Sequence, residues 1–138
     1  MNWLQLSLLS AVFAGMVAIF AKLGMKDIDS VLATTARAII MLGALLALSF
    51  SQGRLAQMLK FPPQTWLFVI LAGLAGAASW LCYFQALKIG DASRVAPVDK
   101  LSTVVTVLMA AVFLHESLTW KVGIGSLLVV IGSFLVAL

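Results

Sequence analysis

The chain has 138 residues, 63% of them hydrophobic and 10% charged, with a formal net charge of +4. A water-soluble domain of this size could not hide so much apolar surface, because a small body has too much skin for its volume. The basic residues are scattered singly among polar joints and helix ends, so no basic patch exists to track phosphates and nucleic acid is excluded as a partner.

Five apolar runs fill the chain almost end to end, at residues 3–21, 31–50, 66–87, 92–114 and 122–138. A bilayer core is about 30 Å thick and a helix rises about 1.5 Å per residue, so roughly 20 mostly apolar residues cross it. Each run is long enough. In lipid an unpaired backbone N–H or C=O is costly, which leaves helices and closed barrels as the spanning structures. The runs lack period-two alternation and are about twice the length of a barrel strand. The expected fold is all-α: a polytopic membrane protein with five transmembrane helices, as a single domain over residues 1–138. An odd number of crossings puts the two termini on opposite faces.

The first run lacks the basic region of a signal peptide, is longer than such a segment's apolar stretch, and precedes more spans, so it reads as a retained helix. In the joint that follows, Gly24 suits a helix C-terminus, and Lys22 and Lys26 favour its dipole. Asp29 or Ser30 can cap the second span. In the longest joint, Leu55, Met58 and Leu59 share a face, which predicts a short interfacial helix over residues 54–60. Phe61, Pro62 and Pro63 then stop it. Ser117 or Thr119 can cap the last span. Trp3, Trp66 and Trp120 stand at the starts of spans, where indoles prefer the headgroup level. Cys82 is the sole cysteine, which excludes a disulfide network or thiolate metal site within one chain, and it reads as a buried small residue.

Orientation follows the Lys/Arg excess on the cytoplasmic side. Counting joints, one side carries Arg54, Lys60 and Lys121, and the other carries Lys22, Lys26, Lys88 and Arg94. Three against four is almost no excess. Either the bias is weak, or the chain inserts both ways. Many transporters pair two inverted-topology halves around a midplane site, and an antiparallel homodimer of one such bundle would make the same object.

Charges kept inside lipid usually face a cavity or a partner. Arg37 lies about two turns into the second span, and Asp99 and Lys100 near the start of the fourth. Pro97 disfavours helix just before it, so the fourth helix is expected to begin or kink there. If it begins there, Asp99 sits in the first turn, favoured by the dipole; alternatively it contacts an ion or substrate beside exposed backbone. Lys100 either snorkels or joins the cavity. Ser102, Thr103 and Thr106 either line a polar track or bond back to the preceding turn. On the third span Trp80 and Tyr83 share a face with Phe84 and Leu87, as an aromatic wall suited to an amphiphilic or cationic ligand or as ordinary packing. Ala72, Gly76 and Ser79, and the pair Gly125 and Gly132, are small-residue strips of the kind that mark close helix contacts; the last pair is a candidate dimer seam. No phosphate loop, zinc triplet or nucleophile–base set is present, so neither an enzyme nor a cofactor or metal is expected.

The run Ser79-Trp80-Leu81-Cys82-Tyr83-Phe84-Gln85-Ala86-Leu87-Lys88-Ile89-Gly90-Asp91-Ala92-Ser93-Arg94-Val95-Ala96-Pro97 resembles the third-to-fourth helix region of EamA-type transporters of the drug/metabolite transporter superfamily. Leu114-His115-Glu116-Ser117-Leu118-Thr119 is similar to that family's acidic joint, and Gly125 to Gly132 to its last helix. The resemblance covers the whole chain. It implies a five-helix half of a ten-helix inverted-repeat transporter, with Glu116 tying helix ends together. Because this chain carries one such unit, the resemblance also implies pairing, either as an antiparallel homodimer or as a heterodimer with a similar short chain. The four-helix multidrug relatives carry a carboxylate in their first helix; none occurs from Met1 to Met25, so their proton-coupled cation mechanism does not transfer. The expected function is inner-membrane transport of a small metabolite, with Arg37, Trp80, Tyr83, Asp99, Lys100 and Thr103 along the path. The mixed charges lean towards a zwitterion or organic anion. The alternative is a non-transporting membrane subunit packed against a different protein.

Overall fold

A computed structural model describes residues 2–24 and 27–138; Met1, and with it Met25 and Lys26 of the first joint, lie outside the described residues. The fold is all-α, with five stretches long and apolar enough to cross a membrane: Trp3–Gly24, Ser30–Ser51, Pro63–Ile89, Ala92–Phe113 and Trp120–Ala137. Most helix ends overrun the apolar runs by one to three residues, and Lys22 and Lys88 both stay helical. Two compact units emerge, one of Met1–Leu23 with Ile89–Leu138 and the other of Gly24–Lys88.

The unit Gly24–Lys88 holds α2 (Ser30–Ser51), a 3₁₀ helix (Leu55–Lys60) and most of α3 (Pro63–Ile89). Asp29, not Ser30, caps α2. Its carboxylate accepts the N–H groups of Val31 at 2.8 Å and Leu32 at 3.2 Å, satisfying two donors that a helix start leaves without a backbone partner. Ser30 is instead buried, and its hydroxyl donates to Gln85 Oε1 on α3. At the other end of α2, Gly53 takes φ +64, a left-handed turn that a side chain would strain. The short helix expected over residues 54–60 forms as a 3₁₀ helix, Leu55–Lys60, and Phe61 ends it in extended conformation. Pro63 then opens α3, a position where its missing N–H costs nothing.

The other unit holds α1 (Trp3–Gly24), α4 (Ala92–Asp99), α5 (Leu101–Phe113) and α6 (Trp120–Ala137). Here α6 packs on α4 and α5. Ser126, Val129, Val130 and Ser133 are its more buried positions at spacings of three and four, which puts them on one helical face. Lys22 Nζ, in the last turn of α1, donates to the Gly90 carbonyl at 2.8 Å. The joint after α5 turns at His115, which has φ 53, and the Glu116 N–H reaches back to the Ala110 carbonyl at 3.3 Å. A left-handed histidine is tolerated because the αL region is several-fold enriched in this residue. Thr119 occupies the cap position of α6 without a side-chain bond; its carbonyl accepts from Gly123 N–H at 3.1 Å.

The fourth span is two helices. It does not begin at Pro97: α4 starts at Ala92 and carries Pro97 inside it, and the break falls at Lys100. Asp99 is therefore the last residue of α4 and not in a first turn. Pro97 has no N–H to give the Ser93 carbonyl. Lys100 N–H bonds only three residues back, to Pro97 at 3.1 Å, and Thr103 N–H does the same to Lys100 at 3.0 Å. The Pro97 carbonyl gains a second donor, the Ser133 hydroxyl of α6 at 2.8 Å.

Few side chains are buried by the chain itself. Among the described residues they are Ala18, Phe84, Leu87, Ser30 and Ser133. Both serines bond to another helix. That fits a lipid solvent: tails are as apolar as leucine, so helices gain little by hiding leucines from them, and hydroxyl-to-backbone bonds and small residues hold helices together. Cys82, expected to be buried, is exposed; in lipid a thiol gains little by turning inward.

Replacing Ser133 by Ala should lower stability by about 0.5–1.5 kcal/mol, the range of interhelical hydrogen bonds in membranes. Unfolding in mixed micelles measures it. Ser7, whose hydroxyl bonds back to Trp3 within its own exposed turn, is the control; its alanine variant should stay within about 0.5 kcal/mol of the parent.

Candidate functional site

Arg37 stands at the eighth position of α2, roughly 10 Å along the helix from its start. Its guanidinium carbon lies 3.5 Å from the centroid of the Trp80 ring on α3 and 5.7 Å from that of Phe84. At the shorter distance the guanidinium must lie close to flat on the indole, because an edge-on approach would drive a nitrogen into the ring. A cation over an aromatic face is attracted by its quadrupole, by about 2 kcal/mol or more where water is excluded.

The indole is itself held by neighbours. Trp80 meets Tyr83 edge-on with centroids 5.6 Å apart and Phe84 edge-on at 5.4 Å, the T-shaped geometry that aromatic quadrupoles favour. Phe84 is buried, with 2% of its surface exposed, so the cluster has a fixed base. The next residue, Gln85, accepts from the Ser30 hydroxyl, which ties the start of α2 to this part of α3.

Beside the Arg37–Trp80 pair lies a cleft of about 410 Å³. Thr34, Ala38, Met41 and Leu45 line it from α2, and Gly73, Gly76 and Ala77 from α3, each set on one helical face. The Thr34 hydroxyl is turned to the Ser30 carbonyl at 2.7 Å, so the wall is apolar apart from Arg37. Ala72 and Gly76, expected to bring helices close, leave space instead: a Cβ at Gly73 or Gly76 would meet nothing within 4 Å.

Asp99, Lys100 and Thr103 belong to the other unit, at the break in the fourth span. Asp99 and Lys100 pair with each other at 3.6 Å, the one ion pair among the described residues. Both are partly exposed, and such pairs contribute little. The Thr103 hydroxyl donates to the Lys100 carbonyl at 2.7 Å and that of Thr106 to Ser102 at 2.9 Å, the back-bonded alternative for both. Gly125 and Gly132 lie about 100° around α6 from its packed face, and a Cβ on either would meet nothing within 4 Å.

Thr34, Met41 and Gly73 were not singled out from sequence. The helical spacing of Thr34, Arg37, Ala38 and Met41 is a signal that would have found the first two. Ser133 had a signal as well, as a hydroxyl in an otherwise apolar run beside Gly132.

The Arg37–Trp80 contact makes a measurable claim. In a double-mutant cycle of Arg37→Met and Trp80→Leu, the coupling in unfolding free energy should be about 1–2 kcal/mol. A coupling near zero would mean that the two side chains do not touch.

Comparison with known proteins places this architecture. No solved structure matches the chain. A transporter from Sinorhizobium sp., described as an uncharacterized transporter in a cobO 3′ region, is 43% identical over 136 residues, covering 99% of this chain and 96% of its own. The model of the EamA-like transporter family matches residues 1–138. With its five membrane-crossing stretches, the chain belongs to the EamA-like transporter family and is a multi-pass membrane transporter.

Proposed function

We propose that the chain moves a small organic metabolite across the inner membrane by alternating access, working as two copies inserted in opposite senses. One observation carries the solute site: Arg37, a side chain that keeps its charge, sits within a span over a cleft instead of reaching for a headgroup. Trp80 lines that cleft beside it, and Tyr83 supports the indole edge-on. Asp99, Lys100 and Thr103 form a second polar stretch at the broken helix of their own unit, the kind of irregular backbone that transporters keep where a cavity is lined.

The antiparallel arrangement is supported by the near balance of basic residues, Arg54, Lys60 and Lys121 against Lys22, Lys26, Lys88 and Arg94. Gly125 and Gly132 offer a place for the two copies to meet, because small residues let helix backbones approach and here they face open space. A similar short chain of opposite bias would serve as the partner in a heterodimer. Residues 1–138 then act together as one half of the working transporter, with Glu116 in the joint that fixes the approach of its last helix.

Reporters fused to the C-terminus test the topology: signal is expected in both compartments. Adding a lysine on the side that already carries four basic residues, as Ile89→Lys, makes five against three and should drive most copies one way and cut uptake into vesicles by about tenfold or more, while co-expression with an oppositely biased chain carrying Gln52→Lys, Gln57→Lys and Ser117→Lys, six against four, should restore it. Undiminished uptake from a one-way population would remove the antiparallel mechanism.

A further inference from the structure

The cleft beside Arg37 discriminates by charge as well as by shape. Its volume, about 410 Å³, falls in the range of about 300–1,000 Å³ typical of small-ligand sites. One basic group and a set of aliphatic and glycyl positions face it. The aromatic surface that a cationic ligand would need is already covered, since the Arg37 guanidinium lies 3.5 Å from the Trp80 ring centroid. A second cation would meet both a blocked face and a like charge. A zwitterion would need an acid near its ammonium group. Of the two acids described in this unit, Asp27 is exposed in the joint before α2 and Asp29 is turned to the helix start, where Val31 and Leu32 N–H groups hold it, and no carboxylate pairs with Arg37 among the described residues. Flat stacking consumes the face of the guanidinium and leaves its N–H donors at the edge, where they form a planar fork matched to two oxygens.

We propose that this cleft binds an organic carboxylate with an apolar body: the acid group docks edge-on against Arg37, and the body lies along Met41 and Leu45 over the floor made by Gly73 and Gly76. Trp80 holds the fork in place, so little side-chain entropy is lost on binding. That the bound acid is cargo rests on the transporter reading above. The phosphate of an anionic lipid presents the same oxyanion chemistry, and the experiment separates the two sources.

The full chain, with Trp3, Trp66 and Trp120 changed to Phe, is reconstituted in phosphatidylcholine nanodiscs, and Trp80 fluorescence is followed during titration with hexanoate, hexylamine or hexanol. A saturable change with hexanoate alone is expected. Arg37→Gln should abolish it, and Arg37→Lys should weaken it by about tenfold or more, because a point charge replaces the fork. Gly76→Leu fills the cleft without touching Arg37 and should also abolish it. Should the Arg37 variants fail to fold, the ligand series and Gly76→Leu decide the matter alone. Equal responses to acid and alcohol, or a response to the amine, would overturn the proposal. Adding phosphatidylglycerol to the nanodisc should leave hexanoate affinity within about twofold; its loss would assign the fork to lipid headgroups and overturn it too. Binding without vesicle uptake would sink the transport reading and spare this one; uptake without hexanoate binding would do the reverse.

Discussion

In the hydrocarbon of a bilayer no water is available to take up a stray backbone donor or acceptor, and this constraint governs the whole molecule. It makes every span helical, and it dictates what happens where a helix is interrupted. The fourth span shows how the demand is met. Pro97 removes one rung of the ladder, Lys100 and Thr103 tighten to shorter bonds, and the Ser133 hydroxyl from α6 supplies a donor to the Pro97 carbonyl. The same logic explains a buried set that includes two serines and few large hydrophobes. Burying leucine against leucine gains little in lipid, whereas a hydroxyl with a partner on another helix fixes register and rotation.

Arg37 follows a related rule. A guanidinium in a span needs something better than alkyl chains around it. Trp80 provides a polarisable face, Phe84 and Tyr83 hold that face in position, and the donors at the guanidinium edge remain for a ligand. The charge is stabilised without being neutralised, which suits binding better than an internal ion pair would. A permanent carboxylate partner would compete with any incoming anion.

Much of the architecture was legible in the sequence because its signals are long and local. Five apolar runs, a cap at Asp29 or Ser30, the short helix before Pro62 and the tryptophans at span starts all follow from composition and spacing. The family could be read from the segment around Trp80 to Pro97. Other features were not legible, for physical reasons. Pro97 announced a disruption but not its place: a proline near the start of a helix disturbs only the Ser93 carbonyl, so α4 runs on to Asp99. Arg37 and Trp80 each stood out, yet their contact depends on the rotation of α2 about its axis, which α2 alone does not encode. The small residues of α3 had two outcomes open to them, close approach or empty space, and Gly73 and Gly76 took the second. Cys82 was misplaced by a rule drawn from water, where apolar means inside.

The break at Lys100 has a mechanical consequence. A continuous helix resists bending along its whole length, whereas here compliance is concentrated at one residue between two stiff rods of 8 and 13 residues. Swinging one rod against the other need not melt either of them. Such a swing would slide α4 and α5 over α6, on which both pack, and would exchange the oxygen-to-oxygen link from Ser133, a rearrangement that belongs to the microsecond-to-millisecond scale of packed helices shifting against one another.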